Sequence, residues 1–175
     1  LNVLTPVKYT GLVNGRVNLY KIFTGDSLQN QSVNASGNVM IKDLTINDFL
    51  VGTIKGNTYW EEVSNTAKIK VTAERGDKQV FDLAGKYLPG APKADQLKME
   101  ASLNGIKLKT FEPYVSETFS NLNGEVEGDV NLTGHPGYPV LKGDGREKDS
   151  HIRINYLNTE YDFQGNIGFD KNTST

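Results

Sequence analysis

Few residues in this chain could make or break a bond, and their spacing argues against it. The 175 residues include two histidines, His135 and His151, and no cysteine. That excludes disulfides, thiolate zinc sites, iron–sulfur clusters and cysteine nucleophiles. The two histidines stand in separate segments, and neither has a second His at ligand spacing. Asp144, Glu147 and Asp149 lie close together. They lack the alternating ligands, central Gly and distant Glu of a calcium loop, so they read as a polar strand end. Glu61 and Glu62 follow Trp60, the single tryptophan. A carboxylate pair beside a sugar-stacking ring would need such residues. One ring and two adjacent acids read instead as a core or rim aromatic followed by a solvated turn. Gly143-Asp144-Gly145-Arg146 echoes a phosphate loop but lacks the third Gly, the Lys-Ser/Thr pair and a following helix. No G-x-S-x-G elbow or S-x-x-K pair is present. The expectation is a non-enzymatic chain with no catalytic residue, no metal and no cofactor.

Composition narrows the class further. Nineteen basic and 21 acidic residues give a formal charge of −2, so the basic footprint of a nucleic-acid binder is missing. Apolar residues make up 37 %. Seventeen Asn and 18 Gly make a fifth of the chain turn-prone, which favours many short strands over long helices. No run approaches the roughly 18 apolar residues of a membrane-spanning helix. Starting at Leu1 and ending on Lys171-Asn172-Thr173-Ser174-Thr175, residues 1–175 read as a single β-rich domain, a fragment of a longer protein.

The elements that must position any site follow a period of two. From Leu122 to Gly134 every even residue is apolar or Gly and every odd residue is polar. That pattern predicts a strand with one buried and one wet face. Weaker alternation marks 37–41 with 44–46, then 67–73, 81–85 and 97–103. Three short strands are expected at 152–154, 161–163 and 167–169. Asn104-Gly105 and Gly165-Asn166 read as two-residue hairpin turns. Phe111, Tyr114, Val115 and Phe119 fall at helical spacing, which predicts a helix of two to three turns over 111–119, capped by Thr110 and with Pro113 in its first turn. Such a helix needs a sheet to pack on and is expected to plug one end of it. The fold class is mainly β: a curled antiparallel sheet, taco-like or an open barrel, with one short helix near 111–119. Gly124, Gly128 and Gly134 leave gaps on the apolar face. A filled core and a shallow apolar trough both account for them.

Over 122–170 the strings LNGEVEGDVNLTG, PVLKGDG and IRINYLNTEYDFQGNIGFD resemble the C-terminal region of TamB-like translocation and assembly module proteins, part of an AsmA-like superfamily. NYLNTEYDF is similar to versions from Bacteroidetes-type bacteria. FEPYVSETFSNLNGEVEG is similar to the family's short helix leading into a glycine-punctuated strand. ASGNVMIKDLTIND, FDLAGKYLPG and QLKMEASLNGIKLKTFEP are similar to its preceding repeats. The resemblance covers most of the chain from about Gly11 and is most specific over 108–170. The run 145–151 departs from it, being polar on both faces, and reads as an edge or a mobile loop.

The resemblance implies a β-taco with a hydrophobic groove, in a periplasmic segment of an envelope-spanning protein whose membrane anchor lies outside the fragment. It implies a role in outer-membrane protein assembly, in phospholipid transfer between the two membranes, or in both. The implied partners are an outer-membrane barrel of the Omp85 class and, as cargo, phospholipid acyl chains or unfolded outer-membrane protein strands. Nucleic acid is not among them. The side chains expected to line the groove are Leu122, Val126, Val130, Leu132, Ile152, Ile154, Phe163, Ile167 and Phe169. The competing expectation is a β-sandwich adhesin or glycan-binding module that recognises its ligand through Tyr59, Trp60 and Asn-rich loops.

Overall fold

The alternating stretch at 122–134 lies inside a strand of 17 residues, Phe119–His135, near the middle of a nine-stranded antiparallel meander. The computed structural model describes residues 7–20 and 34–169, with the backbone alone described for Tyr20, Asn34, Ile167 and Phe169. The strands are β1 (Tyr9–Tyr20), β2 (Asn34–Ile46), β3 (Phe49–Glu61), β4 (Thr66–Arg75), β5 (Lys78–Tyr87), β6 (Leu97–Lys107), β7 (Phe119–His135), β8 (Tyr138–Ile154) and β9 (Thr159–Phe169). They pair in chain order, and β1 and β9 remain as edges, so the sheet curls without closing. A 3₁₀ turn (Leu108–Phe111) runs into α1 (Glu112–Val115), the one α-helix among the described residues, between β6 and β7.

Cross-strand register carries the period of two across the whole sheet. One row runs Val13, Ile41, Ile54, Ala73, Phe81, Leu103, Gly128, Gly145. The next runs Gly15, Val39, Gly56, Val71, Leu83, Ala101, Val130, Gly143. Residues facing each other across a ladder share a face, so one side of all nine strands is apolar. The other side carries ion pairs such as Lys55–Glu74 (2.7 Å), Lys107–Glu125 (2.5 Å) and Lys70–Asp82 (3.7 Å). All nine strands belong to one sheet, so among the described residues no second sheet covers the apolar side. Its side chains can be buried only if the sheet rolls around them, which makes the apolar face the concave one.

The rolling comes from bulges. Register shifts fall between Ile41 and Leu44, Ser120 and Asn123, and Glu147 and Ser150. Inside them Asp43, Asn121 and Asp149 adopt φ of 51°, 54° and 53°. Asn and Asp tolerate this left-handed backbone better than other side-chain-bearing residues, and each extra residue bends its strand. Gly128 contributes by close approach. A Cβ there would overlap the Asp144 carbonyl oxygen and sit 2.6 Å from Gly145 Cα, so β7 and β8 meet more tightly than side chains permit.

Several expectations are corrected. The strands are long, 10 to 17 residues, because many Asn and Gly residues lie inside strands, paired in the ladders, rather than in turns. Asn104-Gly105 is not a hairpin turn; Gly105 (φ 82°) forms a bulge inside β6. Gly165-Asn166 lies inside β9, which unites the two short strands expected at 161–163 and 167–169, and the β8–β9 turn is at 155–158. β1 and β3 were absent from the expected set. The run 145–151 is neither edge nor loop but part of β8, paired on both sides. The α-helix is a single turn with Phe111 at its N-cap position and no side-chain cap, so Thr110 does not cap it. Pro113 does fall in the first turn. The sandwich fold of the competing expectation is not the one formed: the described strands make one sheet, and a sandwich needs two stacked sheets.

Candidate functional site

The candidate site is the concave face, and cover over it changes from one flank to the other. In β7, Leu122, Val126 and Val130 are 5 %, 4 % and 6 % exposed. In β6, Leu97, Met99 and Ala101 are similarly buried. In β1, on the same face, Val13, Val17 and Leu19 are 66 %, 50 % and 53 % exposed. Between them Val39, Ile41, Ile54 and Val71 are half-buried. The face is thus covered along β6 and most of β7, is partly open again at Leu141 of β8 (46 % exposed, opposite Leu132), and opens into a shallow apolar flank at β1–β2.

The expected lining residues sort along this gradient. Leu122, Val126 and Val130 lie in the rolled part, and Leu132 beside them is half-buried. Ile152 and Ile154 are half-buried near the end of β8, and Phe163 faces Ser150 from β9. The backbones of Ile167 and Phe169 pair with Gly145 and Gly143; their side chains lie outside the described residues. Sequence reasoning missed the β1 residues Val13, Val17 and Leu19, although alternate positions from Tyr9 to Leu19 are apolar or Gly and carry the signal.

One end of the trough is plugged. The turn containing α1 packs against the start of β7, and Glu112 accepts hydrogen bonds from the Leu122 amide (2.9 Å) and from Lys109 Nζ (2.9 Å). Asn155 in the β8–β9 turn donates to the Ser116 carbonyl at 2.8 Å. From the opposite flank, the Tyr9 and Tyr114 hydroxyls meet at 3.0 Å. This hydrogen bond, followed by partial burial, raises the Tyr114 phenol above its ordinary pKa. The plug therefore ties β1 to β7, β8 and β9 across the trough. A cleft of about 200 Å³ remains beneath it, between Ile46, Phe49, Lys109 and Pro113.

The polar residues considered for chemistry fall elsewhere. His135 stacks on Tyr138 with ring centroids 4.4 Å apart, and its Nδ1 accepts from the Gly137 amide. His151 Nδ1 lies 2.8 Å from Asp162 on the outer face. Among the described residues no cluster of three or more ligating side chains is placed to hold a metal. Trp60 is buried, so its face is not open to a sugar, whereas Tyr59 is exposed on the other side of the strand. Glu61 bonds Ser64 (2.6 Å) and Lys68 (3.1 Å), and these hold its carboxyl below the usual range. Gly143-Asp144-Gly145-Arg146 is extended strand, without the helix a phosphate loop needs.

Glu147 is the exception. It was expected at a polar strand end, yet it sits mid-strand on the concave side, opposite Val126 and Gly165, and is 3 % exposed. Neither carboxylate oxygen has a hydrogen-bond partner, and the same holds for the Ser150 hydroxyl, the next inward position past the bulge. Burial, then the nearby Asp149 charge, pushes the Glu147 carboxyl above its ordinary range.

No protein-family model, curated protein or solved structure matches this chain. The resemblance to TamB-like proteins therefore rests on the residues quoted above. Among the described residues no helix is long and apolar enough to cross a membrane.

Proposed function

We propose that this chain is a non-enzymatic, passive trough for long apolar guests, acting in the periplasm as a segment of an envelope-spanning protein of the TamB-like kind. In this reading it serves outer-membrane protein assembly, phospholipid transfer between the membranes, or both, beside an Omp85-class barrel. Guests are acyl chains or the apolar faces of unfolded strands. The supporting observation is the unroofed flank: three aliphatic side chains of β1 are at least half exposed on the same face that is buried in β7. Soluble proteins ordinarily cover such continuous apolar surface unless it binds something.

Magnitudes fit a conduit better than a storage site. A chain of ~16 carbons at about 0.8 kcal/mol per CH₂ gains roughly 13 kcal/mol when wholly covered. Covering half leaves about 6 kcal/mol before the costs of association, so affinity no tighter than tens of micromolar. Such a guest exchanges quickly and can slide along the rows. The edge strand β1, which has a neighbour on one side only, offers a second mode through strand addition.

The test uses the folded chain with an environment-sensitive apolar dye and native mass spectrometry. Binding of the dye, its displacement by a fatty acyl chain, and copurified lipid or detergent are expected. A folded protein that takes up neither dye nor lipid overturns the reading. Val17→Asp is expected to lose dye binding while retaining the native circular dichroism spectrum.

A further inference from the structure

We propose that Glu147 and Ser150 form a polar receptor within the concave face for the ammonium head of an amphiphile, whose tail lies along the adjoining apolar rows. The inference rests on the trough reading above and adds a head-group preference to it.

The first argument is the cost of leaving Glu147 alone. A buried carboxylate without partners is among the most unfavourable groups a fold can hold. Here both oxygens are unpartnered and buried, and the neighbouring Ser150 hydroxyl, 2 % exposed, is in the same condition. The second argument is that the surroundings supply no counter-charge, while the facing position on β9 is open. Arg146 and Lys148 flank Glu147 on β8, and alternation directs them to the outer face. Glu125 and Glu127 of β7 point the same way, and the facing β9 positions are Phe163 and Gly165. Asp149, at the bulge, adds negative potential. A Cβ added at Gly165 would meet nothing within 4 Å, and Gly124 leaves its own side-chain space to the Ser150 hydroxyl. Gly128 and Gly145, one row further along the same face, carry no side chain that could pair with the carboxylate.

Chemistry then selects the guest. One carboxylate and one hydroxyl are too few for calcium, which takes six to eight oxygens, or for zinc, which takes nitrogen or sulfur ligands. An anionic head would meet Glu147 and Asp149 with like charge. A primary ammonium carries three donors on a single charge, suited to two carboxylate oxygens and a hydroxyl, and a charge-assisted hydrogen bond is about twice as strong as a neutral one.

Titration calorimetry with dodecylammonium and dodecanol, below their aggregation concentrations, separates head from tail. The ammonium is expected to bind about tenfold more tightly than the alcohol at about pH 8. That preference should vanish in Glu147→Gln, survive in Glu127→Gln on the outer face, and fall a few-fold in Ser150→Ala. Within the wild-type protein it should also fade as pH drops and the carboxyl takes up a proton, a readout independent of any variant's folding. Equal affinities for the two probes, or a preference that survives Glu147→Gln, overturn the receptor and leave the trough standing. Failure of both probes to bind overturns the trough reading and this inference with it.

Discussion

Strands β1 and β7 present the same kind of inner face, aliphatic residues at every second position interrupted by glycine, yet one face is bare and the other dry. Leu19 is 53 % exposed and Leu122 is 5 % exposed. Composition does not explain the difference; neighbours and curvature do. β7 has partners on both sides, and it meets β8 where Gly128 brings the backbones close and the bulges at Asn121 and Asp149 roll the sheet. β1 pairs with β2 alone, and its tie across the trough is the Tyr9–Tyr114 contact at one end. In a one-layer protein, cover over a side chain is set by how far the sheet has rolled at that strand.

The sharpest way to break this comparison is a charge in each region. Val130→Asp places an unpaired carboxylate in the rolled part and should cost about 3–5 kcal/mol, enough to unfold a domain of ordinary stability. Val17→Asp should cost under about 1 kcal/mol, because the charge stays in water. Urea denaturation followed by circular dichroism reads both, and equal costs would refute the gradient. Next comes the matched pair Leu122→Ala and Leu19→Ala. The first should lose about 2–5 kcal/mol and the second no more than about 0.5 kcal/mol.

A smaller effect concerns Glu147, the one acid placed inside the rolled part. Its carboxyl is raised by burial and by Asp149, so the folded state holds its proton more tightly than the unfolded chain does. The stability linked to that proton is complete below the ordinary carboxylate range and is lost as pH rises through the raised value. Glu147→Gln should remove this slope and leave the protein more stable at neutral pH, measured by denaturation between about pH 4 and pH 8. An unchanged slope would place the carboxylate in water. The smallest effect belongs to Tyr9→Phe. It removes one partly exposed hydrogen bond, costs at most about 0.5 kcal/mol, and brings the Tyr114 phenol back toward its ordinary value in a spectroscopic titration. Amide exchange in the plug should quicken, while that in β7 stays as it was.

The sequence made some of this architecture readable and concealed the rest. Thirteen alternating residues announced β7, and the aromatic spacing around Tyr114 announced a helical segment before it. The same rule failed at β1 because Leu12 and Val13 are adjacent and Gly11 and Gly15 thin the pattern. β3 hid because its inner positions shift at the bulge near Gly52. Asn104-Gly105 misled for a local reason: a positive φ suits a bulge as well as a turn, and only pairing with β7 decides which. Glu147 was unreadable in kind, since a charged residue in a polar run carries no mark of burial. The lining expected in β7 follows from period two, whereas how much of it faces solvent depends on rolling that no single strand encodes.

The meander has an odd number of strands, and this has a mechanical result. β1 begins at the plugged end and β9 finishes at the other, so Tyr9 and Phe169 sit at opposite ends of the strand axes. Tension drawing those two points apart loads each ladder lengthwise, in shear, with all the hydrogen bonds of a strand sharing the pull. An even-stranded meander would bring both points to one end and let the same tension peel its bonds away singly.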